Sequence, residues 1–181
     1  MHRLFVALRP PPPIRSALLA LDGTGVPDAR WQDDEQLHLT VRFIGDVERM
    51  QAEDVCAALA GVRAPAPAVR LDGVGSFDRR GRADTLFARV APAEPLAALH
   101  RKVDQALARA AVVPDARRYL PHVTLARLGR LAGDPAAISG WIGAHAGLTS
   151  PAFALTHLIL YESRLGSEGA RYEAVMRWPL D

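Results

Sequence analysis

Two short stretches of this chain repeat one pattern: His38-Leu39-Thr40-Val41 and His122-Val123-Thr124-Leu125, each reaching a glycine five residues after its threonine, at Gly45 and Gly129. Successive side chains of a strand point to opposite faces. His38, Thr40 and Arg42 are therefore expected on one face and Leu39, Val41 and Phe43 on the other, with His122 and Thr124 set against Val123 and Leu125 in the second copy. Imidazole titrates near ~6.5, so of two rings facing across a cleft one can be neutral and take a proton while the other is charged and gives one. Threonine hydroxyls can donate to the non-bridging oxygens of a phosphate and stabilise charge that builds there. Four such groups in one cleft suit in-line cleavage of a phosphodiester. One His-x-Thr strand would mean only a half-exposed polar face; the matched pair is what points to a site.

The remaining chemistry-bearing residues form no competing pattern. There is no H-E-x-x-H, no paired cysteine ligands and no phosphate-loop G-x4-G-K-S/T, so neither a metal nor a cofactor is expected. His100, His145 and His157 have no partner at a recognised metal spacing, and His2 is expected in solvent. Cys56 is the only cysteine, which excludes an intrachain disulfide. The 22 Lys plus Arg include a single lysine, Lys102, and the formal net charge is +2 with a pI of about 9.1. Arginine grips phosphate bidentately, which permits a polyanionic partner, although GC-rich coding accounts for the bias equally well. With 49% apolar and 23% charged residues over 181 positions, one compact domain is expected. No run is long enough to span a bilayer, and the cytoplasm is the expected location.

The elements that must position the motifs read as follows. A strand over 3–8 ends at Pro10–Pro13, a helix runs to Leu21, and Asp22-Gly23-Thr24-Gly25 closes it. The first motif strand spans 37–44 and turns at Gly45-Asp46, followed by a helix over 47–61. Strands over 69–74 and 85–90 flank a turn at 78–82, and a helix over 96–111 carries the stripe Leu96, Leu99, Val103 and Leu107. The second motif strand spans 122–128, a helix covers 135–146, and strands over 153–161 and 172–178 are joined by a turn at 165–169. The simplest architecture is α+β: two pseudo-symmetric lobes, each an antiparallel sheet with helices packed outside, and a cleft between them. Residues 1–181 would form one bilobal domain made by internal duplication, with halves near 1–91 and 92–181.

The two H-x-T-x motifs, the opening Arg3-Leu4-Phe5-Val6-Ala7, the stretches Leu37–Gly45 and Pro121–Arg127, and the late Leu160-Tyr161-Glu162-Ser163-Arg164-Leu165 together resemble the 2H phosphoesterase superfamily. Within it the chain is similar to the bacterial and archaeal RNA 2',3'-cyclic phosphodiesterases, also called 2'-5' RNA ligases. That resemblance implies metal-independent hydrolysis of an RNA-terminal 2',3'-cyclic phosphate to a 2'-phosphomonoester, with reversible 2'-5' joining in some members. It implies His38 as proton donor to the leaving 3' oxygen, His122 as acceptor from water, and Thr40, Thr124 and Arg127 as phosphate holders. Arg127 would point away from His122 in an ideal strand; either a bulge or strand end near Ala126 turns it inward, or its length lets it reach around the edge.

The resemblance suggests that an aromatic in the first strand, here Phe5, borders the nucleotide, and aromatics do stack on the bases of single-stranded RNA; core packing explains it equally well. Arg42, on the motif face, and Arg118, close before His122, are further candidates for substrate contact, against ordinary ion pairing and solvated loop charge. Expected partners are RNA ends or nucleotides bearing a 2',3'-cyclic phosphate, with no membrane, and a monomer suffices. The competing readings are a non-catalytic RNA- or nucleotide-binding protein, and a 2H enzyme acting on another cyclic or 2'-5'-linked nucleotide.

Overall fold

The computed structural model describes the chain apart from residues 22, 27–28, 130–133 and 167–168. The expected turns at 22–25 and 165–169 therefore lie partly outside the described residues. In chain order the elements are β1 (His2–Leu8), α1 (Pro12–Leu19), β2 (Ala29–Trp31), a 3-10 turn (Asp34–Gln36), β3 (Leu39–Val47), α2 (Arg49–Ala60), β4 (Ala68–Arg79) and β5 (Arg82–Ala91). They continue with α3 (Glu94–Ala108), β6 (His122–Leu128), α4 (Pro135–His145), β7 (Phe153–Ala154), β8 (His157–Gly166) and β9 (Gly169–Pro179).

Local chemistry explains several boundaries. Proline in the first turn starts α1, where its missing amide donor costs nothing. The Asp134 carboxylate accepts from the Ala136 amide and caps α4. Asp33 and Gln36 cap the 3-10 turn reciprocally, each side chain bonding the other's backbone. In α3 the stripe Leu96, Leu99, Val103 and Leu107 is buried throughout.

The strands lie in the order β7-β4-β5-β6-β3-β1-β8-β9, with β2 also on β6 and every pairing antiparallel. Leu39, Val41, Val123 and Leu125 join the helices in one large apolar core. The opposite face carries a small cluster of Phe5, Ala7, Ile159 and Tyr161. Strand pairing crosses the expected halves. β4 and β5, from before residue 92, build out from β6, while β8 and β9 build out from β1. Elements recur in the order β1-α1-β3-α2-β4 and β5-α3-β6-α4-β8.

The first motif strand does not turn at Gly45; it runs on to Val47 because two extra residues are absorbed within it. Ala7 pairs with Thr40 and Val6 with Arg42, which leaves Val41 as a bulge; Phe5 pairs with Phe43 and Leu4 with Gly45, which leaves Ile44 as another. Gly45 takes φ +94° there, a conformation that glycine adopts without a Cβ penalty. The Val41 bulge reverses the alternation. Arg42 leaves the motif face expected for it and is buried on the helix side, where its Nε donates to Asp104 on α3 at 2.7 Å and its other nitrogens donate to the Phe43 and Val113 carbonyls. Arg42 is thus structural in placement, and Phe43 takes the cleft-facing position instead.

Truncating Asp104 to alanine leaves a guanidinium that is only 6% exposed without its nearest carboxylate. A loss of about 2–3 kcal/mol in unfolding free energy is expected from urea denaturation; a loss under ~0.5 kcal/mol, the range of an ordinary surface change, would contradict this role for the pair.

Candidate active site

Strands β3 and β6 meet at one residue pair, Leu39 with Val123. These are equivalent positions of the two motifs, so a local twofold axis passes through the pair. Antiparallel running then sets Thr40 beside His122 and His38 beside Thr124, one imidazole on each side of the axis.

The surroundings of the two rings match. The His38 ring lies against Phe5 on β1 and Tyr161 on β8, with centroids 4.9 and 6.2 Å away, and Tyr172 meets it edge-on at 5.0 Å. The His122 ring lies 5.3 Å from Phe87 on β5 and 4.7 Å from Phe77 on β4. His38 Nδ1 bonds the Gln36 carbonyl at 2.7 Å, and His122 Nδ1 bonds the Leu120 carbonyl at 2.7 Å. A carbonyl only accepts, so each Nδ1 must carry hydrogen, which leaves Nε2 as the nitrogen that gains or loses the proton.

Gln36, which sequence reasoning missed, anchors the His38 side. Its Nε2 donates to the Ala170 carbonyl at 2.8 Å and its Oε1 accepts from the Asp33 amide. Asp34 beside it binds both Arg9 and Arg15. Behind the motif strand, the Tyr119 hydroxyl donates to the Thr40 carbonyl and His100 Nδ1 to the Val41 carbonyl, so both main-chain oxygens at the bulge are satisfied. His2, expected in solvent, pairs instead with Glu162 at 2.9 Å.

β6 carries the same device as β3. Leu86 pairs with Ala126 and Phe87 with Thr124, so Leu125 is a bulge at the position equivalent to Val41. The bulge turns Arg127 onto the cleft side, where its Nη1 donates to the buried Thr85 hydroxyl at 2.8 Å. His38, Thr40 and Arg127 line a cavity of about 410 Å³ together with Arg3, Arg30 and Tyr172. No carboxylate lines it among the described residues, so its field favours an anion. Arg118 is exposed ahead of β6 and is not among the lining residues; Phe5 does line the cavity, packed against His38 with only 4% exposure. Among the described residues no group of three or more His, Cys, Asp or Glu is placed to hold a metal, and no helix is long and apolar enough to cross a membrane.

Burial pushes the His38 pKa down to about 4; the Gln36 carbonyl works against this, while the charges of His122 and Arg127 add to it. His122 is also lowered, chiefly by burial with Arg127 adding, against the Leu120 carbonyl.

His38 and Thr40 line this cation-rich cavity while His122 and Thr124 do not, His122 standing across the Leu39–Val123 pair from His38; the paired motif strands match the two-histidine phosphoesterase class that the sequence resembles. The family model of the 2'-5' RNA ligase superfamily matches residues 10–166, and the chain belongs to that superfamily. A protein of Aeropyrum pernix named RNA 2',3'-cyclic phosphodiesterase is 33% identical over 116 residues, 64% of this chain and 65% of that protein. The Geobacillus stearothermophilus protein of that name is 29% identical across 87% of this chain, which spans about half, 49%, of its length. The one from Escherichia coli is 29% identical across 99% of this chain and 97% of its own. Solved structures of E. coli LigT complexed with 3'-AMP and of TT0787 of Thermus thermophilus share the fold. Their TM-scores are 0.77 and 0.76, each at 24% identity, covering 99% and 98% of this chain and 98% and 97% of theirs.

The folded state holds His38 neutral, so protonation opposes folding: its stabilising contribution is full above pH ~6.5 and is lost as pH falls toward about 4. An NMR titration of the imidazole carbons is expected to show His38 neutral until near pH 4 and His122 titrating below ~6.5. A His38 midpoint at or above that ordinary value would contradict the burial described here.

Proposed function

We propose that this protein hydrolyses the 2',3'-cyclic phosphate at an RNA 3' end to a 2'-phosphomonoester by two-histidine acid–base catalysis without a metal. The observation that carries the reading is the matched locking of both Nδ1 atoms on carbonyls two residues back, with the rings on opposite sides of the Leu39–Val123 pair. Each Nε2 is thereby aimed from its own side, as in-line displacement at one phosphorus requires. Proteins named for this activity in E. coli and A. pernix support the substrate class.

Water attacks phosphorus opposite the 3' oxygen. His122 Nε2 takes the proton of the water as the new P–O bond forms, and His38 Nε2 gives its proton to the 3' oxygen as that P–O bond breaks. The product carries a 2'-phosphate and a free 3' hydroxyl. Thr40 and Thr124 hydroxyls donate to the non-bridging oxygens, and Arg127, steadied by Thr85, balances their charge. If a 5' hydroxyl of a second RNA replaces water, the same steps yield a 2'-5' linkage. In the unliganded cleft His38 is the more depressed of the pair. A bound phosphate offsets the field of Arg127 and raises the proton affinity of His38, so substrate itself prepares the donor.

Both motif copies come from one chain, so a monomer is sufficient, and the duplicated single domain accounts for the paired geometry. The cytoplasm is the compartment in which such RNA ends would be met.

His38→Ala and His122→Ala are each expected to lower turnover of a cyclic-phosphate-ended oligonucleotide by about 10²–10⁴ while remaining folded, with chelator having no effect. Equal turnover in wild type and the double variant would contradict the two-histidine assignment. Because both free-protein pKa values are depressed, kcat/KM is expected to peak below pH ~6.5 and to decline as pH rises through the higher of the two. A maximum above neutrality would contradict the assignment.

A further inference from the structure

We infer that Arg30 holds the phosphodiester immediately upstream of the terminal nucleotide, which makes the site selective for RNA ends over cyclic mononucleotides; this rests on the acid–base reading given above. A 2',3'-cyclic phosphate carries a single negative charge, and Arg127, just beyond Thr124 on β6, balances it in that reading. Arg3 and Arg30 line the same cavity, and no carboxylate among the described residues does. A cyclic mononucleotide would therefore leave these two cations of the wall without a counter-charge. Each further phosphate of an RNA chain brings one, so the charge of the wall fits an oligonucleotide end better.

Strand register puts Arg30 in that wall. β2 pairs with β6 so that Arg30 stands directly opposite Arg127, and opposite residues share a face. Trp31 enforces the alternation from the other side, since it packs on the apolar core with its ring 5.6 Å from that of Trp141. The Gln32 amide donates to the Leu125 carbonyl at 2.8 Å, which carries the pairing past Trp31 to the bulge on β6. Like charges directly opposite repel, and here the two guanidiniums part. Arg127 leans away to Thr85 on the far edge of β6, while Arg30 reaches the start of β9, where a Cβ added to Gly169 would lie 3.8 Å from its Nη1. Among the described residues Arg30 has no ion pair or hydrogen bond, and it is exposed. The two arginines thus offer separate grips. The 3' oxygen leaves toward His38, so the ribose and the chain attached to it lie on the His38 side. β9 forms that side: Tyr172 meets the His38 ring edge-on, and Gln36 ties the Ala170 carbonyl to the 3-10 turn. Arg30, against Gly169, is the cation on this path, and its planar fork suits the two free oxygens of a phosphodiester.

The test compares adenosine 2',3'-cyclic phosphate with the dinucleotide ApA ending in the same cyclic phosphate, which adds one upstream phosphodiester. Wild type is expected to prefer the dinucleotide about tenfold in kcat/KM, mainly through KM, and Arg30→Gln to bring that ratio to about one, with Arg30→Lys keeping most of the preference. For the dinucleotide, the slope of log kcat/KM against log salt is expected to shrink by about 0.7 in Arg30→Gln, a change that lost packing alone does not produce. Equal losses for the two substrates in Arg30→Gln, or a wild type without preference, would overturn the inference. Failure of the wild-type protein to hydrolyse either compound would instead remove the acid–base reading. Calorimetric titration with adenosine 3'-monophosphate and with ApA bearing a 3'-phosphate needs no turnover and decides the Arg30 subsite in that event. The ratio of those dissociation constants is expected to shift by a similar factor in Arg30→Gln, and an unshifted ratio would overturn the subsite.

Discussion

The structure depends on the meeting of β3 and β6 at a single antiparallel pair, Leu39 with Val123. A longer ladder between these strands would zip the cleft shut, and no pairing would leave the two imidazoles without a fixed relation. One pair does neither. It sets a local twofold axis, after which the strands diverge and each turns to its own arm of the sheet. Bulges at Val41 and Leu125 follow directly, and they re-aim the residues beyond each threonine.

Much of the scaffold serves that junction. The aromatic pairs Phe5–Tyr161 and Phe87–Phe77 back the two rings from equivalent strands. The carbonyls of Gln36 and Leu120 fix both tautomers, while Tyr119 and His100 satisfy the main-chain oxygens at the first bulge. Burial lowers the proton affinity of both imidazoles, and the arginines around the cavity favour an anion.

The parts of this plan visible in the sequence are those with a local period. The strand over His122–Leu128 and the apolar stripe of α3 follow from alternation and helical spacing, and the doubled motif follows from identity of residues at fixed intervals. Alternation has no signal for an extra residue. It consequently placed Arg42 on the motif face and Phe43 behind it, the reverse of what the Val41 bulge produces, and read Gly45 as a turn where it is part of a bulged strand. Arg127 was recoverable because the resemblance implied it as a phosphate contact, and a bulge was one of the ways that could bring it to the cleft side. Gln36 acts through its backbone carbonyl and through capping of a short 3-10 turn, neither of which has a residue pattern strong enough to read. The crossing of β4–β5 and β8–β9 between arms is a matter of long-range pairing that no local window contains.

The central claim is that two imidazoles address one phosphorus from opposite sides. A crystal structure with uridine vanadate, whose five-coordinate vanadium imitates the in-line transition state, tests it most directly. The account predicts Nε2 of His38 and Nε2 of His122 each within hydrogen-bond reach of opposite apical oxygens, with the Thr40 and Thr124 hydroxyls on equatorial ones. Vanadate bound with either imidazole making no contact to an apical oxygen would contradict it.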